Sequence, residues 1–250
     1  MAAVIHRDGG LALFALIRPI LLTLLSAAFL SGCQVEHTND RLTVASAGRI
    51  SSLDPAQAST ISTIQLLSAL GDPLYSLTQD GLLKPRLASG PPVVSSDGLT
   101  VSIPLRDDVL FHDGTRFDAE AMAFSLRRFL NIGTLNYVVG GRIASIDAAA
   151  PDQLQISLTR PSTSLNGLLT AINLTPISPE AYREHTDRFL HDTFIGTGPY
   201  KLVRFREDQQ RLVPFEDYWG EPPENQGLDL ITLSNSTALF GALRSGEVDV

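Results

Sequence analysis

The chain has 250 residues, 44% of them hydrophobic and 18% charged, which is enough to bury a sizeable core and too apolar for global disorder. A formal net charge of -8 offers no basic footprint for nucleic acid, so the acidity is read as solubility. With a single cysteine, the chain has neither a disulfide framework nor a cysteine-based zinc site.

The N-terminal segment reads as a targeting signal and is set apart from the fold. His6, Arg7 and Arg18 precede an apolar run at residues 20–30, about the length of a signal h-region. Leu30-Ser31-Gly32-Cys33 then places small residues before a cysteine, the pattern of a bacterial lipobox. Cys33 is therefore predicted to carry lipid and to tether the protein to a membrane surface. The competing reading is an uncleaved span over residues 11–30. Arg18-Pro19 in its middle argues against that, since a charge and a proline are costly in such a span. The expected organisation is a lipoprotein signal peptide at 1–32, a polar tether at 33–40 and a folded lobe at 41–250.

Taken in order, residues 41–45 form a first strand, and Asp54-Pro55 signals a turn or a helix entry. Ile61, Ile64, Leu67 and Leu70 recur at helical spacing up to Gly71, which predicts a helix. Val93-Val94, the turn Ser95-Ser96-Asp97-Gly98 and a strand from Leu99 predict a hairpin. Val101, Ile103 and Leu105 alternate with polar partners, and Pro104 suggests an edge strand or a bulge. Val109-Leu110-Phe111 is a second short apolar run and reads as another strand, with His112-Asp113-Gly114 as a turn. Asp118 is placed to cap a helix whose Met122, Leu126, Phe129 and Leu130 share one face.

Residues 143–148 and 154–158 predict a second hairpin around Pro151-Asp152-Gln153. Residues 165–174 read as a buried helix, and Ser178-Pro179 starts another, with serine as cap and proline at the first helical position. Residues 200–205 and 211–215 form a third hairpin. A strand at 228–233 and a helix at 237–245, stopped by Gly246, complete the chain.

Several of these segments carry a resemblance. Leu53-Asp54-Pro55-Ala56, Lys84-Pro85-Arg86-Leu87-Ala88, the run from Arg106 to Thr115 (RDDVLFHDGT), Leu158-Thr159-Arg160-Pro161, Gly196-Thr197-Gly198-Pro199-Tyr200, Tyr218-Trp219-Gly220 and Ser245-Gly246-Glu247-Val248-Asp249 follow in the order seen in the family-5 extracellular solute-binding proteins. One departure stands out: most members follow the leucine-alanine with a short link and a tryptophan, where this chain has Gly90-Pro91-Pro92. The resemblance implies an α/β fold, a mixed sheet with flanking helices, of the type II periplasmic-binding-protein kind. It also implies the N-terminal half of a two-lobed binder, with the second lobe missing. The implied function is capture of an extracytoplasmic solute, by default a peptide, for ABC permease subunits. The protein is expected to be a periplasmic or extracytoplasmic monomer with no cofactor. In the family the His112-Asp113 turn reads as scaffold.

Enzyme chemistry finds little support. No G-x-S-x-G elbow is present. His185 and His191, near Asp187 and Asp192, invite a metal reading, but a spacing of six does not put both imidazoles on one helical face. Gly196-Thr197-Gly198 lacks the third glycine of a dinucleotide loop, and Pro199 removes a backbone donor. For ligand contact, the resemblance points to the loop after the first strand, at Ser59 and Thr60, where either hydroxyl could equally be a helix cap. Ile61 stands where members with a close backbone approach have glycine. Arg142, after Gly140-Gly141, is a second cleft-edge candidate, able to meet a carboxylate or simply to be solvated. A membrane-tethered interaction or sensory domain and a secreted hydrolase are the alternative functions.

Overall fold

The computed structural model describes residues 40–250, apart from 51, 140, 163–164, 186–188 and 191. The predicted signal peptide, Cys33 and most of the tether therefore lie outside the described residues, as do Asp187 and His191 of the metal reading.

In chain order the elements are β1 (Leu42–Ser46), a 3-10 turn at Pro55–Gln57, α1 (Ile61–Leu70), β2 (Tyr75–Leu77), β3 (Leu83–Pro85), β4 (Val93–Val94), β5 (Thr100–Pro104) and α2 (Ala119–Ile132). There follow a 3-10 turn at Asn136–Val138, β6 (Ile143–Ala150), β7 (Gln153–Leu158), α3 (Leu165–Leu168), a 3-10 turn at Ile172–Leu174 and α4 (Pro179–Tyr182). The last elements are β8 (Tyr200–Arg206), β9 (Gln209–Pro214), β10 (Leu228–Thr232) and α5 (Ser236–Ser245).

Two four-stranded sheets carry the fold. The first has the order β1-β10-β9-β8; β1 lies parallel to β10 with Leu42 opposite Leu228, and the other pairs are antiparallel. That makes the sheet mixed, as the α/β expectation requires. The second, β4-β5-β7-β6, is antiparallel throughout, and β2 and β3 form a separate hairpin. Each sheet has its own core. Val101, Ile103, Leu154 and Ile156 of the second pack with Met122, Leu126 and Phe129 of α2. Leu212 of the first packs with Leu66, Leu67 and Leu70 of α1 and with Tyr182 and Phe194.

Three expectations change in detail. Residues 109–111 make no sheet strand: a single Leu110–Arg116 bridge closes a tight hairpin, whose Gly114 takes φ 83. Val109 and Phe111 are nevertheless fully buried, so the apolar run serves the core without laddering. The buried helix at 165–174 shrinks to α3 and a 3-10 turn. On α1, the stripe that buries is Leu66, Leu67 and Leu70, while Ile61 is 77% exposed. Residues three apart drift by about 60° per step around a helix, so a run of them cannot hold one face.

Pro104 lies at the end of β5, opposite Gln153 of β7, where two-residue β4 no longer reaches. It is an edge position on an otherwise interior strand, and its carbonyl accepts from Ser89 N–H at 2.9 Å. Asp118 caps α2 as expected, accepting from the Ala121 N–H at 2.8 Å.

The separated motifs converge on two buried polar groups. His112 is 4% exposed; its Nε2 lies 3.0 Å from the Gly198 carbonyl and its Nδ1 accepts from the Gly196 N–H at 3.3 Å. The His112 N–H also donates to the Gly196 carbonyl, so one residue clamps the whole glycine turn. Burial pushes the imidazole pKa down to about 4. This arrangement requires the neutral Nε2–H tautomer. The glycines are needed because the turn lies directly on the C-terminus of α1: a Cβ on Gly198 would overlap the backbone of Leu70 and Gly71. Asp113, in the same turn, accepts from Ser178 Oγ at 2.6 Å and so fixes the start of α4. The scaffold role expected of His112 and Asp113 is what their contacts describe.

The second group is the Asp72 carboxylate. It accepts from Arg86, from Tyr218 Oη at 3.2 Å and from Trp219 Nε1 at 3.0 Å. Burial raises its carboxyl above the ordinary value, against the opposing effect of Arg86 and the two aromatic donors. The guanidiniums of Arg86 and Arg106 lie 5.1 and 4.5 Å from the Trp219 ring. The Tyr218-Trp219 pair is thus part of the scaffold, with each polar end satisfied. Near the Gly90-Pro91-Pro92 departure, the fully buried Tyr75 donates its hydroxyl to the Gly90 carbonyl at 2.9 Å.

Candidate functional site

The loop after β1 turns on a buried ion pair. Asp54 caps the 3-10 turn through the Ala56 N–H, and its two oxygens receive both terminal nitrogens of Arg128 at 2.6 Å each. Both side chains are almost wholly inaccessible, at 4% and 6%. Arg128 comes from the middle of α2 and lies over the Phe189 ring at 5.2 Å. A bidentate, desolvated pair of this kind fixes the loop in both distance and angle.

Other contacts finish the loop. Asn173 Nδ2 donates to the Pro55 and Ala58 carbonyls at 3.1 and 2.7 Å. Gln57 Nε2 donates to the Ile132 carbonyl at 2.9 Å, and the Thr134 N–H donates to the Ala56 carbonyl at 2.9 Å. The end of α2 and the loop at 54–58 therefore form one rigid junction.

From this junction the chain runs directly into Ser59 and Thr60, both exposed. Thr60 is the N-cap of α1: its Oγ1 accepts from the Thr63 N–H at 3.3 Å and donates to Thr63 Oγ1 at 2.9 Å. The Ser59 hydroxyl makes no hydrogen bond among the described residues. Ile61 follows at the outer surface, and Ile64, one turn on, is 36% exposed. The open surface of residues 57–65 is thus uncharged, with amide, hydroxyl and aliphatic groups only.

The second candidate segment leaves the same junction. After Thr134, the 3-10 turn Asn136–Val138 presents Tyr137 at 76% exposure and leads through buried Val139 to Arg142. Arg142 is half-buried, and its backbone is fixed: its N–H donates to the Val139 carbonyl and its carbonyl accepts from the Thr159 N–H, both at 2.8 Å. The structure thus brings together the roots of the Ser59-Thr60 and Arg142 segments through the contacts of Ala56 and Gln57 with Ile132 and Thr134.

Sequence reasoning missed Ile61, Ile64 and Tyr137 as surface groups. The usable signal was that Ile61 falls opposite Leu66, Leu67 and Leu70 at 100° per residue. Among the described residues, no three His, Cys, Asp or Glu side chains are placed to share a metal ion.

Comparison with known proteins places this architecture. The sequence pattern of the bacterial extracellular solute-binding proteins, family 5 Middle, matches residues 83–250. The chain belongs to this family. The glutathione-binding protein GsiB of Escherichia coli O6:K15:H31 is 28% identical over 254 residues, which cover 99% of this chain and 46% of GsiB. Two solved structures share the fold. The binding protein MoaA of A. tumefaciens R10, in complex with mannopinic acid, superimposes with a TM-score of 0.78 at 24% identity, over 85% of this chain and 44% of MoaA. The periplasmic binding protein DppA of Helicobacter pylori, in complex with the peptide STSA, gives 0.75 at 24% identity, over 83% of this chain and 45% of DppA. The chain spans about half the length of the relatives it matches.

Proposed function

We propose that residues 41–250 form one lobe of a two-lobed solute-binding protein that hands an extracytoplasmic peptide to an ABC permease. The observation that carries this reading is the uncharged, exposed edge at Ser59, Thr60 and Ile61, held rigid by the Asp54–Arg128 pair. A neutral edge with one open hydroxyl and an aliphatic side chain suits the backbone and side chains of a short peptide. Membership of a solute-binding family supports the reading, as do the similarity to the glutathione-binding protein GsiB and to DppA in complex with the peptide STSA. In this reading Ser59 is the hydrogen-bonding contact, Thr60 holds the helix start and Ile61 packs on the ligand. Arg142 takes a carboxylate. Cys33 carries the lipid that keeps the protein at the membrane. Closure of a second lobe excludes water and completes the contacts.

The test is calorimetric titration of the protein from its whole open reading frame with a panel of two- to five-residue peptides that includes glutathione. One-to-one saturable binding is expected, weakened at least about tenfold by Ile61→Glu at an unchanged melting temperature, since a buried charge without a partner is costly. Binding only of an opine, a nickel complex or an oligosaccharide would overturn the peptide assignment. Binding of none of these would overturn solute capture.

A further inference from the structure

A cavity of about 400 Å³ opens at the far end of α2, between the first turn of that helix and α4. On α2 the cavity is lined by Glu120, Ala121, Phe124 and Arg127, none of which hydrogen-bonds to the candidate edge among the described residues; Ile132, which does, lies about 18 Å along the helix from Glu120 and about 7.5 Å from Arg127. The two sites are therefore distinct. The volume falls in the range of small-molecule pockets, roughly 300–1,000 Å³.

The backbone beneath the walls is tied down at two points, and Arg116, Glu180 and Arg183 project from it as exposed side chains. Ser178 Oγ donates to Asp113 at 2.6 Å, tying the start of α4 to the His112-Asp113 turn. The Ile177 N–H donates to Ser125 Oγ at 3.0 Å, tying the same segment to α2. Ala121, Phe124 and Pro179 supply an apolar floor. Around it stand six charges, and their internal pairing is unequal. Asp118 is occupied as the α2 cap. Glu120 and Arg127 lie 3.8 Å apart, and Arg127 also donates to the Ile146 carbonyl. Arg116, Arg183 and Glu180 have no ion pair or hydrogen-bonding partner through their side chains among the described residues.

Two open guanidiniums and one open carboxylate over an apolar floor have a defined complement: a ligand with two carboxylates and one ammonium. We infer that this cavity is a second small-molecule site, taking an acidic amino-acid-type zwitterion. Arg116 and Arg183 each donate to one carboxylate, for which the planar guanidinium fork is suited. Glu180 takes the ammonium, and the carbon chain lies over Phe124. The inference stands independently of the peptide edge at Ser59 and Ile61.

The probe is L-glutamate, titrated into the full-length protein and followed by two-dimensional NMR of labelled amides. Saturable shifts at residues 115–127 and 179–183, with a dissociation constant below about 1 mM, are expected. L-glutamine and L-lysine should bind at least tenfold more weakly, and Arg116→Gln and Arg183→Gln should each cost at least tenfold. Ile61→Glu should change none of these values. Absence of saturation, shifts confined to other regions, or retention of affinity in the double Arg116→Gln, Arg183→Gln variant at an unchanged melting temperature would each overturn the proposal.

Discussion

The imidazole of His112 is engaged at both nitrogens, and its position predicts how stability depends on pH. In the unfolded chain it titrates near the ordinary value of 6.5, but in the fold burial depresses it to about 4. Asp113 favours its charged form and Lys201 opposes it, neither overcoming burial. Between these two values the unfolded state binds more protons, so stability rises with pH across that window. The contribution is fully present above pH 6.5 and is lost as pH falls toward 4, amounting to on the order of 3 kcal/mol. Protonation would also turn Nδ1 into a donor facing the Gly196 N–H, opening the glycine turn. Urea unfolding at pH 7 and pH 4.5 should show this loss in the native protein and a much smaller one in His112→Gln. Equal losses in both would place the acid sensitivity elsewhere.

The loop at 54–58 and helix α2 are joined by Asp54 and Arg128, and their coupling can be measured. Asp54→Asn keeps an oxygen for the Ala56 cap, and Arg128→Met keeps the aliphatic stem. Each single change leaves a buried partner uncompensated and should cost about 3–5 kcal/mol. The double variant should cost clearly less than the sum, because neither charge is then left alone. Additive losses in denaturant unfolding would show that the pair is not coupled. This pair also marks how far sequence reasoning reaches. The Asp54-Pro55 turn, the Asp118 cap, the Ser178-Pro179 start and the Gly246 stop are local signals, and all are realised as caps or turns. The Asp54–Arg128 bond, across 74 positions, is set by topology and has no local signature. The same holds for α1, where spacing indicates a helix but the face that buries depends on which sheet it meets. Residues 165–174 fail as one continuous helix: Gly167 and Thr170 are weak helix formers, and the apolar residues bury in a short helix followed by a 3-10 turn.

At the level of the whole chain, the motifs that carry the family resemblance are mostly not ligand groups. They meet at Asp72 and His112, where residues from 72 to 219 are drawn into two knots. That explains why the fold was legible in one sequence while the candidate edge was less so: scaffold residues have demanding partners, whereas an exposed edge needs only to be shaped and open. Ser59 and Thr60 were named through their place after Leu53-Asp54-Pro55-Ala56. The exposure of Ile61 is implied by its helical position opposite Leu66, Leu67 and Leu70, whereas that of Tyr137 emerges only once the junction between α2 and the loop is built. The first sheet also keeps Leu228 and Leu230 half-buried, leaving apolar surface available to further packing.

The central claim, that ligand is held at the edge beside this junction, is tested most directly by hydrogen–deuterium exchange of the full-length protein with and without saturating peptide. The account predicts that slowed exchange within this lobe concentrates at residues 59–64 and 134–142, with the amides of the second sheet, β4-β5-β7-β6, unchanged. Protection that bypasses both segments while peptide is bound would contradict it.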